Sequence, residues 1–245
     1  MIPKTAEAIL KDIISSYNAI ASRFSNTRSF SRPFIQKLAK YAESGGKILD
    51  IGCGNGILLE SLPKNMDYFG IDVSLALIDE AKKKYDGFKE RFSIFDGLKI
   101  PFPDKSFDFV FSIAVLHHIP GKGLHLNHIK EITRVLKPDG RAIVGVWRLW
   151  DKRFLRYFLK NIGNKLIGKS KIGFSDFYLP WKDGTGNILA KRYFHAFTLK
   201  EIISLHKKAG LDIMESGIFT AGREFKNYYV VSTSGCLKIE TLKIH

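Results

Sequence analysis

The sequence predicts an α/β protein built on a doubly wound, largely parallel sheet. Three observations carry that reading. From residue 47 to 147, short apolar runs alternate with amphipathic stretches, the signature of strand–helix alternation. The first run, KILDI (47–51), passes straight into a glycine-rich turn. The run FDFVFSI (107–113) is apolar almost throughout, as a central strand covered on both faces requires. The chain of 245 residues is 45% apolar, enough for one large domain or a core with a modest appendage. That composition excludes a disordered or collagen-like polymer.

In chain order, Ala8, Ile9, Ile13, Tyr17 and Ile20 recur at helical spacing and predict a helix over 5–21. FSNTRSFSRP (24–33) reads as a loop, and Pro33 opens a second helix through Tyr41. Gly45-Gly46 breaks the chain before the first strand, 47–51. A helix is expected at about 56–62 after the glycine turn. A second strand follows at 68–72, then a helix through Lys84 with Ser74 as its N-cap. Strands three, four and five are expected at 91–95, 107–113 and 141–147. The last two are separated by a helix containing His128 to Leu136, closed by the Pro138-Asp139-Gly140 turn. Beyond Trp147 a helix is expected over 151–167, with Phe154, Leu155, Phe158, Leu159, Ile162 and Leu166 along one side. Residues 172–197 read as a structured, aromatic-rich insertion. Thr198 and Glu201 form a capping-box pattern for a helix that ends near Gly210. Strands at 211–219 and 225–232 follow, with antiparallel pairing as one option, and the last dozen residues read as a tail.

Charge is distributed unevenly. Thirty-nine Lys+Arg against 24 Asp+Glu give a net +15. Residues 47–147 hold only +1 of it, whereas 1–46 hold +4, 148–171 hold +7 and 172–245 hold +3. This predicts a polyanion or an anionic surface met outside the central unit. The two cysteines, Cys53 and Cys236, cannot make a multi-bridge framework or a zinc cage, so a reducing compartment is expected. The N-terminus lacks a signal-peptide layout, and no apolar run approaches the ~20 residues that span a bilayer. A cytoplasmic protein is the expectation. His125 and His128 stand at helical spacing without an evident third ligand, so no metal is expected.

The chemistry concentrates at Asp50-Ile51-Gly52-Cys53-Gly54-Asn55-Gly56. Glycines there let the backbone approach a ligand and take positive φ. Asp72 ends the second strand twenty residues beyond Gly52, where a carboxylate can accept from both ribose hydroxyls. The spacing Gly-x-Gly-x-Gly departs from the Gly-x-Gly-x-x-Gly of pyrophosphate turns, and Asp50 just before it would repel a pyrophosphate. An acid suits a ligand with an amino group and a sulfonium, which favours S-adenosylmethionine over a dinucleotide. Asp96, before Gly97 at the end of strand three, is placed either to accept from the adenine amine or to form an Asp-Gly turn. Cys53 reads as a small residue in a tight turn.

The segments KILDIGCGNG, FGIDVS, FDGLKIPFPDKSFDFVFSIAVLHHI and EITRVLKPDGRAIVGVW resemble the class I S-adenosylmethionine-dependent methyltransferases. Further segments resemble one branch, the tRNA wobble-uridine carboxymethyl methyltransferases. These are YNAIASRFSNTR (17–28), SIAVLHHI (112–119), Tyr178-Leu179-Pro180-Trp181, RYFHAF (192–197) and Asn227. Arg32 departs from the tryptophan usual before Pro33, and 148–177 has no clear counterpart. The resemblance implies a Rossmann-like, doubly wound seven-stranded sheet with N-terminal helices and an insertion after strand five. It implies that 5-carboxymethyluridine in the anticodon loop is esterified. Cofactor contacts are implied at Tyr17, Asp50, Gly52, Cys53, Gly54, Asn55, Gly56, Asp72, Val73, Asp96, Gly97, Ser112, Ala114 and His117. The tRNA anticodon stem-loop is the implied partner, with a small zinc-binding activator subunit beside it.

On the substrate side, Arg28 and Arg192 are candidates for binding the carboxylate or a nearby phosphate, because guanidinium forks suit both. His117 is a candidate contact to cofactor or uracil, and His195 is a candidate to stack on or hydrogen-bond the base. Tyr193, Phe194 and Phe197 serve the core or the base, and His118 reads as a packing or capping residue. The basic stretch 148–171 reads as a helix with a solvated face, a tRNA contact or an interfacial membrane helix. Two rival functions remain on sequence alone: a quinone or lipid-precursor methyltransferase, and a non-catalytic RNA scaffold. The expected organisation is a helical cap (1–46), a cofactor-binding half (47–147), a basic and aromatic substrate-side insertion (148–197), a completing helix and strands (198–232) and a tail (233–245).

Overall fold

A computed structural model describes residues 3–28, 33–43, 45–220 and 226–235; Arg32, Cys236 and the rest of the C-terminal tail lie outside the described residues. The first helix, α1 (Pro3–Asn26), runs further than its apolar spacing predicts, and backbone bonds from Thr27 and Arg28 close it. It is followed by α2 (Pro33–Ala39), β1 (Lys47–Ile51), β2 (Asp67–Asp72), α3 (Leu75–Lys84), β3 (Phe92–Ile94), β4 (Phe107–Ile113), α4 (Lys122–Val135) and β5 (Leu136–Trp147). Then come α5 (Leu155–Leu166), β6 (Asp176–Lys182), β7 (Ile188–His195), α6 (Leu199–Lys208), β8 (Asp212–Phe219) and β9 (Asn227–Thr233). No helix among the described residues is long and apolar enough to cross a membrane.

Seven strands form one sheet in the order β3-β2-β1-β4-β5-β9-β8. The first five are parallel, β9 runs antiparallel to β5, and β8 antiparallel to β9. The apolar strands are explained by burial on both faces. Leu49, Val110 and Val144 point to one side, where α4 and α6 bring Ile129, Ile132 and Ile202. Ile48, Phe109, Phe111 and Ile143 point to the other, against Leu38 of α2 and Ile78 of α3. From β1 the chain winds outward to β2 and β3, then returns to the far side of β1 as β4. A crevice therefore opens beyond the C-terminal ends of β1 and β4, where such sheets bind ligands.

β6 and β7 form a separate antiparallel ribbon. Its Phe177 and Phe194 pack with Phe154 and Phe158, and its Tyr193 with Ile9 and Ile13 of α1. α1 lines the crevice through Leu10, Ile13, Tyr17 and Phe24, and the ribbon packs against α1.

Several elements depart from expectation. Residues 57–61 form a single 3₁₀ turn instead of a helix over 56–62. Pro63 follows at once and holds Leu62 extended, which stops the helix. α4 ends at Val135, and Leu136 already pairs with Phe107. Pro138-Asp139-Gly140 thus bulges out of β5, with Asp139 at φ 62°, instead of closing the helix. On α5, Phe158 is buried and stacks on Trp150, but Leu155, Leu159 and Leu166 are exposed. The apolar arc of that helix is wider than the ribbon it covers.

Candidate active site

The site begins with the turn after β1. Gly52 and Cys53 donate their backbone N–H groups to the Ile71 carbonyl (2.7 and 3.1 Å), which folds the turn over the end of β2. Gly52 takes φ +67°, and a Cβ there would lie 2.3 Å from the Val115 methyl, so only glycine fits. Asp72 anchors the same turn. Its Oδ2 accepts from Gly54 N–H (2.9 Å) and its Oδ1 from Ser74 N–H (2.8 Å). Burial raises its pKa against the opposing effect of those bonds, and no cation pairs with it among the described residues. The carboxylate keeps spare lone pairs facing the crevice.

Tyr17, Arg28, Gly52, Cys53, Gly54, Asn55, Asp72, Val73, Gly97, Ala114 and His117 all line the cleft at this crevice. The structure places the remaining cofactor-side candidates off that wall. Asp50 is buried under the turn, where its Oδ2 accepts from the Tyr68 hydroxyl at 2.9 Å. Burial raises its pKa to about 7; the Tyr68 bond lowers it, and the Asp72 charge adds to the rise. Gly56 faces Phe92 and Tyr85. Ser112 is buried against the His128 ring (2.9 Å). Asp96 is exposed and accepts from Leu98 and Lys99 N–H groups (2.8 and 2.9 Å), the Asp-Gly turn that sequence left as one of its two readings. The Asn55 amide nitrogen donates to the Ser25 hydroxyl and the Arg28 carbonyl (3.1 and 3.2 Å), tying the end of α1 to the turn, and its Oδ1 is left without a partner.

The substrate-side candidates divide. The Arg192 guanidinium does not line the cleft; it is buried beside it among rings, 4.7 Å from the Trp181 centroid and 5.3 Å from Phe194. Its NH1 donates to the Tyr17 hydroxyl (3.4 Å), its Nε is unpartnered, and no acid pairs with it among the described residues. Tyr17 donates in turn to His118 Nε2 (2.7 Å), whose Nδ1–H donates to the Tyr193 carbonyl (2.8 Å). Burial and the Arg192 charge hold His118 near pKa 3. His117 is fully buried and its Nδ1 accepts from Trp147 N–H (3.4 Å), so the neutral ring carries its proton on Nε2, which is unpartnered. Burial first, then His118 and Arg192, push its pKa well down. Arg28 lies 3.7 Å over the Phe24 ring and within 6.0 Å of Trp181.

His195 does not reach the cleft. Its Nδ1 pairs with Asp176 (2.6 Å) and its Nε2 with Glu201 (3.2 Å), and it borders a second cavity instead. Burial opposes its charge, but the bonds to both acids outweigh this and raise its pKa to about 9. A cation held on both sides in this way has no edge left for a base. Glu201 is correspondingly not the second half of a capping box. Its N–H bonds to Thr198 Oγ1 (3.2 Å), but its carboxylate turns to His195.

Sequence reasoning overlooked Phe24, Asn18 and Ser25. Asn18 accepts from Ser74 Oγ–H (2.7 Å) and joins α1 to the start of α3. A helix predicted to stop at residue 21 leaves Phe24 and Ser25 in a loop, which hides their role.

A family model described as a methyltransferase domain matches residues 49–144. A tRNA (carboxymethyluridine(34)-5-O)-methyltransferase of Schizosaccharomyces pombe is 32% identical over 219 residues, covering 82% of this chain and 89% of that protein. The tRNA (carboxymethyluridine(34)-5-O)-methyltransferase ALKBH8 of Mus musculus is 34% identical over 139 residues; the match spans 57% of this chain but only 20% of that longer protein. Among solved structures, a SAM-dependent methyltransferase from Methanosarcina mazei has the same fold, with TM-score 0.67, 23% identity and coverage of 83% of this chain and 98% of that one. So does a Haloferax volcanii methyltransferase solved in complex with the Trm112 methyltransferase activator, with TM-score 0.62, 19% identity and coverage of 91% and 98%. A seven-stranded sheet of this order, a glycine turn under an acid-ended second strand, and relatedness along most of the fission-yeast enzyme agree: the chain belongs to the family of S-adenosylmethionine-dependent tRNA carboxymethyluridine methyltransferases.

Proposed function

We propose that this chain esterifies the carboxylate of 5-carboxymethyluridine at the wobble position of a tRNA anticodon, with S-adenosylmethionine as methyl donor. One observation carries the substrate reading. Arg192 is a buried guanidinium, 4% exposed, with rings around it and no acid against it among the described residues. An unpaired buried charge is costly, and a carboxylate arriving with the substrate offsets that cost in a geometry guanidinium favours.

The other groups suit the same substrate. A carboxylate is ionised at neutral pH, so its attack needs alignment more than a strong base. His117 stays neutral and cannot protonate the nucleophile; its free Nε2–H donates to the carboxylate or the uracil. Tyr17, fixed by His118, steadies the Arg192 fork. Arg28, lying on Phe24 near Trp181, is placed for a phosphate or a stacked base. Bound S-adenosylmethionine supplies a methyl group already activated by its sulfonium. Asp72 would accept the ribose hydroxyls, Gly52 and Gly54 would let the backbone come close, and Asp50 would hold the turn from behind through its bond from Tyr68. In this arrangement residues 47–147 serve the cofactor, while 1–46 and 148–197 serve the RNA. A small activator subunit is a fitting second partner, in view of the Haloferax volcanii complex, and the cytoplasm a fitting location.

The test is methyl transfer from labelled cofactor to tRNA from a strain lacking this modification. Base-labile label in the wobble nucleoside is expected; label confined to lipid extracts, or cofactor binding without transfer, overturns the reading. Arg192→Met is expected to lower transfer about 100-fold or more while calorimetric cofactor affinity holds. Undiminished transfer would remove Arg192 from the site.

A further inference from the structure

The ring of His125, on the first turn of α4, is 1% exposed, and its Nε2–H donates to the Ile119 carbonyl at 2.6 Å. That bond fixes the tautomer and leaves Nδ1 as a bare lone pair, buried and without a partner. His195, at the end of β7, is only 4.7 Å away ring to ring. Its Nδ1 is held by Asp176, whose other oxygen is held by Gly173 N–H (2.6 Å). Glu201, on the first turn of α6, brings its carboxylate to His195 Nε2. The ligand atoms that His125, His195 and Glu201 offer all lie within 4.8 Å of one another.

We propose that His125 Nδ1, His195 Nε2 and a Glu201 oxygen form a divalent-metal site, best suited to zinc, outside the methyl-transfer cleft. Two imidazoles and a carboxylate are an ordinary zinc donor set, with a water completing the tetrahedron. The outer partners are those such sites use. Metal-bound imidazoles commonly donate their second N–H to a carboxylate or a backbone carbonyl, and here Asp176 and Ile119 accept them. The unpartnered Nδ1 is the decisive feature. A purely ionic cluster of His195 with two acids needs no third, bare ring nitrogen beside it, whereas a metal does. Solvent access is available, since the Glu201 side chain is 30% exposed. When metal binds, the proton on His195 Nε2 leaves to solvent and the metal takes its place between ring and Glu201.

The sequence hid this site because its ligands come from three elements 70 and 6 residues apart, and His125 pairs visibly only with His128, which turns to Ser112. The site would pin the ribbon to α4 and α6 three residues from Arg192.

The full chain, stripped with chelator and dialysed, is titrated with zinc chloride and, separately, with cobalt(II). One tightly bound zinc per chain and a tetrahedral cobalt absorption band are expected, with a higher thermal midpoint on loading. His125→Gln and Glu201→Gln should each weaken zinc binding by about 100-fold or more, and Asp176→Asn by roughly 10–100-fold. X-ray absorption of the zinc-loaded wild type keeps the test decisive where a variant fails to fold; two imidazoles and no sulfur are expected. Sulfur ligation, no stoichiometric zinc, or undiminished binding in both ligand variants would overturn the proposal. None of these readouts depends on methyl transfer, so the site can fail while the assigned reaction stands, and the reverse.

Discussion

Asp50 shows how one buried carboxyl shapes the stability of the glycine turn after β1. It is 4% exposed, has no cation beside it among the described residues, and holds its proton to about pH 7 because burial outweighs the Tyr68 bond. In the unfolded chain the same group ionises near 4. A carboxyl whose pKa is raised on folding favours the fold most fully below the unfolded value. That contribution fades as pH climbs towards the folded value of about 7 and is gone above it. Asp50→Asn keeps an acceptor for Tyr68 and removes the titration. The variant should therefore melt at a temperature closer to wild type at pH 5 and progressively higher than wild type by pH 8. Thermal melts of both proteins across that range, without cofactor, check it. A difference that shrinks with rising pH would mean that Asp50 is ionised in the native protein and stabilised by something else.

At the scale of elements, the β1 turn carries more constraint than any other segment. Gly52 combines positive φ with a 2.3 Å approach to Val115, and its own N–H is committed to Ile71. Gly52→Ala adds a backbone penalty of roughly 1–2 kcal/mol and a clash that displaces the loop after β4. A fall of several degrees in the thermal midpoint and at least about tenfold weaker cofactor binding are expected. Gly87→Ala, with no atom within 4 Å of the added Cβ, is the control and should change neither. This turn was legible in sequence because its demands are local: a strand, three glycines and an acid at fixed spacing. The sheet was legible for the same reason, since strands covered on both faces must be apolar. What could not be read depends on distant partners. The 3₁₀ turn at 57–61, the bulge at Pro138–Gly140 and the exposed leucines of α5 follow from how neighbouring elements meet. His195 shows the limit most clearly. Its sequence neighbours Arg192 and Phe194 face the aromatic cluster of Trp181 and His117, but it turns the other way, to Asp176 and Glu201. Strand alternation puts Arg192 and Phe194 on one face of β7 and His195 on the other, a split hidden when 172–197 is read only as an insertion.

At the scale of the whole molecule, the +15 charge has a shape. The stretch 47–147, which bears the glycine turn, is nearly neutral, and the segments that flank it carry the excess. RNA binding through phosphates releases counterions, so its strength should fall steeply with salt, whereas a small zwitterionic cofactor releases few. Lys152, Lys160 and Lys169 are exposed around α5, where 24 residues hold +7. The leucines beside them give no base-reading groups, so any contribution to RNA binding is to phosphate and independent of sequence. Replacing all three lysines by glutamate should then weaken tRNA binding at 100 mM salt. It should also reduce the slope of log affinity against log salt by roughly 2–3, about one for each phosphate that a lysine no longer neutralises. Cofactor affinity and the thermal midpoint should stay near wild type, because none of the three side chains is buried. Fluorescence anisotropy with an anticodon stem-loop over a range of salt concentrations reads the slope directly. A slope unchanged by the triple substitution would place the RNA on α1 and the ribbon alone. The basic face of α5 would then be a solvated surface, and its exposed leucines would belong to an interface other than that with tRNA.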